Sequence, residues 1–483
     1  MKILTGCQIG QADALTVRDE GIEPIDLMER AAEQIALWIC QNVDQSNSLL
    51  FFTGKGNNGG DGLAAARILH NAGFSCRVYT PFEIEQMSPQ CAENFRRLPD
   101  GLLTDEPAVS EDTIIVDALL GSGMSGEVRE PLKSLIESIN ASGRTVISID
   151  IPSGMNTEDN AGSRTIVNAA TTLTIQYPKL AMMLPEAGEH AGNIEVIDIG
   201  IDTSGFASPY NYIEPELISA VKCRRPKFAY KNMYGHALLV CGSPNMTGAA
   251  VLATSAALRS GCGLVTVHTP SSERLALQIS CPSAMLSPEP ENVFATMPAD
   301  LQKYSAVGVG CGIGEDDRTV SALRNLMKEF SGPMVIDADA LNIIAHNRAL
   351  LDIIPKGSIL TPHLGEFERL VGGWWGTEQE KLAHGVYLAS YIGGTVIIKG
   401  PHTAVCMADG RIFFNSTGSS GMAKGGSGDV LTGLLTGLLA AGYSSPQASA
   451  IGVFEHGRAG EKTAEYYGAE SMNSGDMVDF LNL

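Results

Sequence analysis

The chain has 483 residues, which is too long for one ordinary domain and predicts two or three. Its 54 acidic and 33 basic residues give a formal net charge of −21, which argues against nonspecific nucleic-acid binding and against adhesion to anionic membranes. The ten cysteines are scattered without a Cys-x-x-Cys pair, and no apolar run reaches roughly 18 residues. We therefore expect a cytoplasmic protein with neither a zinc site nor a membrane span.

The first half of the chain predicts strands and helices that alternate, as in a parallel α/β sheet. Helical periodicity runs from Glu20 to Cys40, with apolar residues on one face. A buried strand over 48–52 leads into a glycine-rich stretch over 53–62, and a helix is expected from Leu63 to Ala72. A strand, a glycine loop and a helix in this order indicate a Rossmann-like crossover, although the spacing is not that of the common dinucleotide motif.

Polar residues mark the ends of three predicted strands in this half. Asn58 and Asp61 follow the first strand, and Asp117 and Asp150 directly follow two further buried strands. Because the carboxyl ends of parallel strands meet at one edge of a sheet, we expect these residues at one ligand site. Amide and carboxylate oxygens suit a polar ligand or a hard cation. The alternative is that the glycines and acids only form turns and helix caps.

The second half begins a new alternation of strands and helices. Residues 202–215 mix Ser, Gly, Pro and Tyr and form the predicted linker, and the new alternation starts at His236. Later strands end in Asp337, His363 and Lys399. Lys399 is suited to hold a phosphate. His363 stands alone, so a structural role is as good an interpretation as a functional one.

The most distinctive stretch is 421–428, where four glycines precede Asp429 and a short apolar helix. Glycines before a helix let N–H groups turn onto an anion, and the helix dipole adds to this attraction. A carboxylate in the first helical turn is poorly placed to bind phosphate but well placed to take a proton from a hydroxyl. The pattern predicts phosphoryl transfer to an alcohol, and the alternative is a glycine loop with an N-cap aspartate.

The motifs of the first half resemble those of the NAD(P)HX epimerase family: Asn57-Asn58-Gly59-Gly60-Asp61-Gly62, Asp117 followed by Gly121-Ser-Gly, and Asp150-Ile-Pro-Ser-Gly154. The resemblance covers residues 1–212 and implies a Rossmann-like three-layer domain that interconverts the R and S hydrates of NADH and NADPH. It also implies a K⁺ ion held by Asn58, Asp117 and Ser153, and Asp150 as the residue that handles the proton. The implied substrate contacts are Asn57, Asn58, Gly59, Gly60, Asp61, Gly121, Ser122, Gly123, Met124, Ser125, Gly126, Glu127 and Asp150.

The motifs of the second half resemble the ADP/ATP-dependent NAD(P)HX dehydratases of the ribokinase-like superfamily: Val335 to Asn342, Thr361-Pro-His363, Lys399 to Thr403, and Asn415 to Leu431. The resemblance covers residues 222–483 and implies Asp429 as the base. The implied substrate contacts are Ala249, Gly312, Gly314, His363 and Asp429. The implied nucleotide site consists of Lys399, Gly400, Pro401, His402, Thr403, Ser419, Gly425, Gly426, Ser427 and Gly428. Two positions depart from the pattern, with Leu364 in place of a proline and Ser419 in place of an asparagine.

Together, the two resemblances imply repair of hydrated nicotinamide cofactors. The first half would epimerise NADHX and NADPHX, and the second would dehydrate the S form at the expense of ADP, giving AMP and phosphate. The resemblance leaves room for Mg²⁺ in the second half, and we expect a homo-oligomer that acts on small molecules.

Two alternatives stay open at this point. The first is a ribokinase-type vitamin or sugar kinase with a nucleotide-binding N-terminal module, which would release a stable phosphorylated product. The second is a first half that only binds nucleotides or RNA, for which the net charge of −21 is unfavourable. Loss of epimer interconversion in Asp150→Ala would argue for catalysis.

Overall fold

The computed structural model describes residues 1–124, 126–158, 160, 165–373 and 376–483. The described chain divides into two compact units, Met1–Tyr210 and Asn211–Leu483. Each unit contains a largely parallel sheet together with helices, which confirms the predicted α/β fold class.

The sheet of the first unit is parallel throughout. Its strands are β1 (Ser48–Thr53), β2 (Ser75–Tyr79), β3 (Thr113–Ala118), β4 (Val146–Ile149), β5 (Thr171–Ile175) and β6 (Asn193–Ile197). Their order is β2-β1-β3-β4-β5-β6, so the direction of winding reverses between β1 and β3. In sheets of this kind, ligands bind at the carboxyl ends of the strands where the winding reverses. The motifs that follow β1 and β3 lie at that position.

The sheet of the first unit has an apolar core on each face. In β1, Leu49 and Phe51 belong to the core on one face, and Leu50 and Phe52 belong to the core on the other. All four side chains are buried, which explains why this strand is a continuous apolar run. The helices of the unit are α1 (Gly6–Glu20), α2 (Pro24–Asn42), α3 (Asn57–Asn71), α4 (Pro89–Arg96), α5 (Leu132–Ala141) and α6 (Pro185–Gly188).

The helix predicted from Glu20 to Cys40 is in fact part of a pair, α1 and α2. Gly21 adopts a left-handed conformation with φ of 66°, which ends α1, and Pro24 occupies the first position of α2. The first helix was not predicted. Its residues become important below, because they line a cavity.

The helix predicted from Leu63 begins six residues earlier, at Asn57. The N–H of Gly60 already donates to the carbonyl of Gly56 at 3.1 Å. Asn58 and Asp61 therefore lie in the first turns of α3 rather than in a loop, and their spacing is set by the helix.

The sheet of the second unit is larger and mixed. Its strands are β7 (Tyr210–Tyr212), β8 (His236–Val240), β9 (Leu264–Pro270), β10 (Met285–Glu289), β11 (Ala306–Val309), β12 (Met334–Ile336), β13 (Ile359–Leu360), β14 (Thr395–Ile398), β15 (Ala404–Met407) and β16 (Ile412–Phe414). The order is β10-β9-β8-β11-β12-β13-β14-β15-β16-β7, with β15 antiparallel to both of its neighbours. The winding reverses between β8 and β11. The predicted linker over 202–215 contains β7, a strand of this sheet.

Helix α14 (Ser427–Ala440) is buried, as its apolar sequence predicts. Every residue from Val430 to Ala440 is buried. It packs closely on α8 (Thr247–Arg259), since a Cβ added to Gly433 would lie only 1.9 Å from the carbonyl oxygen of Ala253. The other helices are α7 (Pro215–Val221), α9 (Arg274–Ser280), α10 (Asp317–Glu329), α11 (Ala338–His346), α12 (Leu364–Val371), α13 (Glu378–Ile392), α15 (Ser445–Tyr467) and α16 (Ser474–Phe480). In the described ranges, no helix combines the length and apolar character needed to cross a bilayer.

Candidate active sites

A cavity of about 470 Å³ lies at the carboxyl ends of β1, β3 and β4. The predicted residues that line it are Asn57, Asn58, Asp61, Gly121, Ser122, Gly123, Met124 and Asp150. Helix α1 forms a further wall that the sequence did not predict, with Gly6, Ile9, Gly10 and Asp13. Among the described residues, the predicted contacts that do not line it are Gly59, Gly60, Gly126 and Glu127. Ser125 lies outside the described residues.

Gly59 and Gly60 serve the packing of α3. A Cβ on Gly59 would lie 2.0 Å from the carbonyl oxygen of Gly54, and a Cβ on Gly60 would lie 2.7 Å from Sδ of Met28. A larger residue at position 59 would displace the helix from the backbone of Gly54, whereas one at position 60 would first displace the side chain of Met28. The structure therefore explains these glycines by close approach, without a ligand.

Asp150 is held as a carboxylate in the cavity wall. Its backbone is left-handed, with φ of 68°, which is uncommon for a residue with a side chain. Its Oδ2 accepts a hydrogen bond from the N–H of Ser122 at 2.9 Å, and its Oδ1 accepts one from Nζ of Lys179. Burial alone would raise the pKa of Asp150, but Lys179 and Ser122 together bring it below its usual value.

Lys179 is a site residue that the sequence analysis missed. It is fully buried, and its Nζ also donates to Oγ1 of Thr174 at 2.8 Å. Lysine is almost never fully buried unless it is paired. Its position beside the apolar run 180–184 could have indicated that it is buried. Its partner Asp150 could not have been identified from the sequence, because it lies 29 residues away in the chain.

Two further carboxyl groups, those of Asp13 and Asp61, line the same cavity. Burial raises the pKa of Asp13 to about 6, and the charge of Asp150 adds to the increase while Lys179 opposes it. Burial raises the pKa of Asp61 well above its usual value, with Asp150 and Asp13 adding to the effect. The cavity thus combines one ionised carboxylate with two acids that hold their protons more strongly, an arrangement that can give and take protons.

The predicted K⁺ ligands Asn58, Asp117 and Ser153 lie close together. Oγ of Ser153 donates to Oδ1 of Asp117 at 2.6 Å and to the carbonyl oxygen of Leu120 at 3.3 Å. The same carbonyl accepts a hydrogen bond from Nδ2 of Asn58 at 2.9 Å. Oδ1 of Asn58 is buried and has no hydrogen-bond partner among the described residues.

Asp117 is already saturated by hydrogen bonds from protein groups. Its Oδ1 accepts from the N–H of Leu119 and Oγ of Ser153, and its Oδ2 accepts from Oγ of Ser148 and the N–H of Ser153. The free Oδ1 of Asn58 therefore fits a cation, whereas Asp117 fits a role in positioning Ser153. In the described ranges, no group of three or more His, Cys, Asp or Glu side chains is arranged to hold a metal ion.

Asp429 lies in the first turn of α14, directly after a glycine turn. Gly426 in that turn has φ of 93°, and a Cβ there would lie 2.5 Å from Leu252. Burial raises the pKa of Asp429, a hydrogen bond from Cys311 opposes the increase, and the charge of Asp337 adds to it. A carboxylate at the start of a helix, beside N–H groups that attract an anion, can take a proton from a group next to that anion.

Lys399 places a positive charge beside the glycine turn. Its Nζ donates to Oδ1 of Asp337 at 2.8 Å and lies 3.9 Å from Oε2 of Glu366. A Cβ added to Gly428 would lie 3.4 Å from the same Nζ. An anion held at the start of α14 would therefore meet this ammonium, as the sequence predicts for a phosphate.

His363 has the structural role that the sequence left open. Its Nδ1 accepts hydrogen bonds from the N–H groups of Gly365 at 3.1 Å and Glu366 at 3.4 Å, so it caps α12. Its backbone also forms a bridge with Lys399 at the ends of neighbouring strands. The side chain stays 56% exposed, and its Nε2 lies 3.4 Å from Oε1 of Glu366.

Ala249, Gly312 and Gly314 meet where β8 and β11 end. Gly312 is left-handed with φ of 65°, and a Cβ there would lie 3.3 Å from the Cβ of Ala249. The N–H of Gly314 donates to Oδ2 of Asp339 at 2.8 Å. Ala249 and Gly312 thus pack together at the point where the winding reverses, and Gly314 follows two residues later with open space at its Cα.

The predicted nucleotide segment 399–403 is a tight turn. Oγ1 of Thr403 donates to the carbonyl oxygen of Gly400 at 3.0 Å, and Pro401 is exposed at its tip. Nδ1 of His402 lies 3.2 Å from the carbonyl oxygen of Asn415, which precedes the second predicted nucleotide segment. Asn415 thereby connects the two segments.

The second nucleotide segment is supported by side chains that the sequence analysis missed. Nε2 of His456 donates to the carbonyl oxygen of Ser427 at 3.0 Å, and Oγ of Ser474 donates to that of Gly425 at 2.9 Å. Burial lowers the pKa of His456 to about 4, so the ring is neutral at pH 7. Ser419 caps the short turn that leads into this segment. No local motif pointed to His456, since it lies 29 residues from Ser427.

The second unit also has a cavity of about 520 Å³ away from these residues. It lies between α12, α13 and the segment after α11, and Arg348, Tyr387 and Tyr391 are among its lining residues. None of the predicted site residues lines it. The charged and small residues around Asp429 form the better candidate for chemistry.

Two protein-family models match the chain. Residues 24–181 match the model described as YjeF-related protein N-terminus, and residues 237–482 match the model described as NAD(P)H-hydrate dehydratase. The first match includes the cavity residues that follow β1, β3 and β4 but begins after α1. The second match includes Asp429 and Lys399.

Curated relatives match along the whole chain. The bifunctional NAD(P)H-hydrate repair enzyme Nnr of Moorella thermoacetica is 32% identical, over 100% of this chain and 96% of that protein. The protein of the same name from Coxiella burnetii is 32% identical, over 99% of this chain and 98% of that protein. The similarity therefore extends across both units.

Solved structures resemble the second unit. The ADP/ATP-dependent NAD(P)H-hydrate dehydratase of Bacillus subtilis, co-crystallized with ATP and Mg²⁺, is 26% identical with a TM-score of 0.50, covering 57% of this chain and 97% of that chain. A ribokinase-like superfamily protein from Enterococcus faecalis is 26% identical with a TM-score of 0.51, covering 58% and 96%. The predicted ribokinase-like fold of the second unit is thereby confirmed.

Proposed function

Because this chain belongs to the family of bifunctional NAD(P)H-hydrate repair enzymes, we propose that it interconverts the R and S hydrates of NADH and NADPH and dehydrates the S form at the expense of ADP. Epimerisation is assigned to residues 1–212 and dehydration to residues 222–483. The products of dehydration are NADH or NADPH, AMP and phosphate.

The position of Asp429 supports the proposed dehydration most directly. Asp429 takes the proton from the ring hydroxyl, whose oxygen then attacks the terminal phosphoryl group of ADP. Phosphate leaves far more readily than hydroxide, and the lone pair of the ring nitrogen expels it as the double bond re-forms. The N–H groups at the start of α14 and the ammonium of Lys399 stabilise the charge on the transferred group.

The remaining predicted residues would position the two substrates. Ala249, Gly312 and Gly314 leave room for the hydrated ring because they present little or no side chain, and the half-exposed ring of His363 would lie beside it. The nucleotide would lie against Lys399, Gly400, Pro401, His402, Thr403, Ser419, Gly425, Gly426, Ser427 and Gly428.

Asp150 would handle the proton in epimerisation. It is ionised, it lines the cavity, and its orientation is fixed by Lys179 and Ser122. The nicotinamide end of the hydrate would lie against Asp150, with Asn57, Asn58 and the segment 121–124 around it.

A K⁺ ion in the first unit is also part of this proposal. The unpaired, buried Oδ1 of Asn58 supports it, since an amide oxygen is a suitable ligand for a hard cation. Oγ of Ser153 and the carbonyl of Leu120 lie within the same hydrogen-bonded group, and Asp117 would hold Ser153 in place. A bound K⁺ would supply a fixed positive charge next to the cavity. A higher melting temperature in KCl than in NaCl of equal ionic strength would support it.

ADP, rather than ATP, is the proposed co-substrate, and a comparison of initial rates with each nucleotide decides between them. Mg²⁺ would be bound together with the nucleotide, because this ion usually joins one or two carboxylates to substrate phosphates. We further propose that the chain self-associates and acts in the cytoplasm. Its ten free cysteines are consistent with a reducing compartment, and light scattering measures the mass in solution.

Replacing Asp429 tests the proposed dehydration. We expect Asp429→Asn to slow the ADP-dependent return of NADH absorbance from the S hydrate by about 100-fold or more, because the base is lost. Binding of ADP, measured by calorimetry, should be retained. Asp317→Asn is the matched control, since Asp317 is also in the first turn of a helix but is exposed at α10.

Three results would contradict the proposed dehydration. Wild-type turnover in a folded Asp429→Asn variant would remove Asp429 from the mechanism. A stable phosphorylated product, in place of released phosphate, would favour the sugar or vitamin kinase. No recovery of reduced nicotinamide with either nucleotide would exclude dehydratase activity.

A further inference from the structure

We propose that Asp13, on helix α1, is a second proton-transfer residue of the epimerase and acts together with Asp150. This inference rests on the proposed epimerase function and goes beyond the residues that the family motifs assign. Asp13 lies before the part of the chain that matches the first family model, residues 24–181. Its side chain nevertheless lines the same cavity as Asp150.

Helix α1 is fixed against the cavity. A Cβ on Gly6 would lie 3.0 Å from Oγ1 of Thr157 and 3.2 Å from the carbonyl oxygen of Ser122, the residue whose N–H donates to Asp150. Ala12, the neighbour of Asp13, is fully buried in the core. The position of Asp13 at the cavity is therefore set by packing and not by a mobile end of the chain.

The groups around Asp13 and Asp150 give the two carboxyl groups different pKa values. Lys179 pairs with Asp150 and keeps it ionised, while burial and the charge of Asp150 raise the pKa of Asp13 to about 6. Burial raises the pKa of Asp61 well above its usual value, and the charges of Asp150 and Asp13 add to the increase. The hydroxyl of Tyr177 is buried without a partner among the described residues, and burial raises its pKa as well. Two carboxyl groups whose environments push their pKa values apart are suited to act as a base and an acid.

A base and an acid are what inversion of the hydrated carbon requires. The hydroxyl is on the carbon bonded to the ring nitrogen, and this carbon inverts when the C–N bond opens and closes again. Asp150 takes the hydroxyl proton, the O–H electron pair becomes the π bond of an aldehyde, and the C–N bonding pair moves to nitrogen. The nitrogen takes the proton of Asp13, which becomes ionised.

The reverse sequence of proton transfers completes the reaction. After rotation about the bond to the aldehyde carbon, the nitrogen attacks the opposite face and returns its proton to Asp13. The oxygen regains its proton from Asp150. Both carboxyl groups return to their starting states, and no oxidant, reductant or water molecule is consumed.

Asp13→Asn in the full chain tests this role. We expect the enzyme-dependent interconversion of the R and S hydrates to fall by about 100-fold or more. Dehydration of the S hydrate with ADP should keep its wild-type rate, because that site lies in the other unit. Asp19→Asn is the matched control, since Asp19 lies on the same helix with 64% of its side chain exposed, and it should keep full epimerase activity.

The pH profile distinguishes proton transfer from a merely structural role. Since Asp13 must be protonated to act as the acid, wild-type kcat/KM for epimerisation should decline above about pH 6, the value to which its pKa is raised. This decline should vanish from the residual rate of Asp13→Asn. In Asp13→Glu, which keeps a carboxyl group, the decline should persist but move. Circular dichroism checks that each variant is folded. If Asp13→Asn is unfolded, the comparison of the wild type with Asp13→Glu tests the inference in its place.

The inference fails if folded Asp13→Asn epimerises at the wild-type rate, or if the pH profile is the same in the wild type and Asp13→Glu. Exchange of the hydroxyl oxygen with ¹⁸O-labelled water at every turnover would also overturn it, since ring opening retains that oxygen. If the wild-type chain does not interconvert the hydrates at all, the proposed epimerase function itself is wrong.

Discussion

Asp337 organises the charges around Asp429. Its Oδ1 accepts hydrogen bonds from Nζ of Lys399 and from the N–H of Ala338, and its Oδ2 accepts one from Oγ1 of Thr432. Burial alone would lower the pKa of Lys399, but Asp337 and neighbouring carboxylates raise it above its usual value. Asp337 thus helps to keep Lys399 charged beside the glycine turn and also raises the pKa of Asp429.

Asp337→Asn is expected to shift the pH dependence of dehydration. The proposed base, Asp429, acts only when ionised, so we expect kcat/KM to fall as the pH drops through its raised pKa. The variant removes a negative charge near Asp429, which lowers the pKa of Asp429, while Glu366 still lies 3.9 Å from Nζ of Lys399. The acid limb of kcat/KM for the S hydrate should therefore move to lower pH.

The same variant should remain folded, because asparagine is as good an N-cap as aspartate for α11. Asp317→Asn, on the exposed surface of α10, should leave the limb where it is. A limb that stays in place or moves to higher pH in Asp337→Asn would show that Asp429 is not the titrating base.

The candidate site residues that carry a local motif could be chosen from the sequence. Asp429 follows four glycines, and Asp150 ends an apolar strand, so both could be selected without a structure. Asp13 and Lys179 could not be selected in this way, because the residues that each of them lies beside in the structure are distant in the chain. His456 was missed for the same reason, since both of its contacts, with the carbonyl oxygen and Oγ of Ser427, join residues 29 positions apart.

Among the helices and strands, the strands were the easier to predict. A strand buried on both faces is a continuous apolar run, as in β1, and such runs are visible in the sequence. The start of α3 was missed because glycine disfavours helix, and Gly59 and Gly60 lie in its first turn. Tertiary packing outweighs that preference, since a Cβ at position 59 would lie 2.0 Å from the carbonyl oxygen of Gly54.

Close packing of α14 on α8 predicts an unusual effect of an alanine substitution. Gly433→Ala places a Cβ 1.9 Å from the carbonyl oxygen of Ala253, so the two helices must move apart. We expect the second unit to lose about 1–3 kcal/mol of unfolding free energy. The urea concentration that halves dehydratase activity should fall accordingly.

Gly248→Ala is the control within the same helix pair. Nothing lies within 4 Å of a Cβ at this position of α8, so the substitution should be neutral or should stabilise by up to about 1 kcal/mol. If Gly433→Ala stabilised the unit as Gly248→Ala does, the helices would not pack as closely as the structure shows.

At the scale of the whole molecule, the chain unites two sites whose reactions follow one another. The first unit has its own sheet, core and cavity, and the second has its own sheet and glycine turn. The epimer that the first site forms is the substrate that the second site consumes. Each site should therefore be removable without loss of the other.

Two inactivated chains should complement each other. Asp150→Asn should dehydrate the S hydrate normally but lose the enzyme-dependent conversion of the R hydrate. Asp429→Asn should keep epimerase activity but lose dehydratase activity. Asparagine is suitable at position 150 because it tolerates the left-handed backbone and can accept a hydrogen bond from Lys179. Mixing the two variants with the R hydrate and ADP should restore the formation of NADH.

The absorbance of NADH measures this complementation, and Asp317→Asn in place of either partner checks for nonspecific effects of mixing. Failure of the mixture to convert the R hydrate, when each variant keeps its own activity, would mean that the epimer does not pass through solution. The assignment of the two reactions to separate units would then need revision.

The contact between Cys311 and Asp429 affects how the protein responds to thiol reagents. Burial raises the pKa of the Cys311 thiol well above its usual value, and the carboxylates of Asp337 and Asp429 add to the increase. Because the thiolate is the reactive form, this sulfur resists alkylation and peroxide even though it contacts the proposed base. Maleimide dyes would instead label the exposed cysteines, Cys7, Cys40 and Cys223, and leave the sulfur beside Asp429 unmodified.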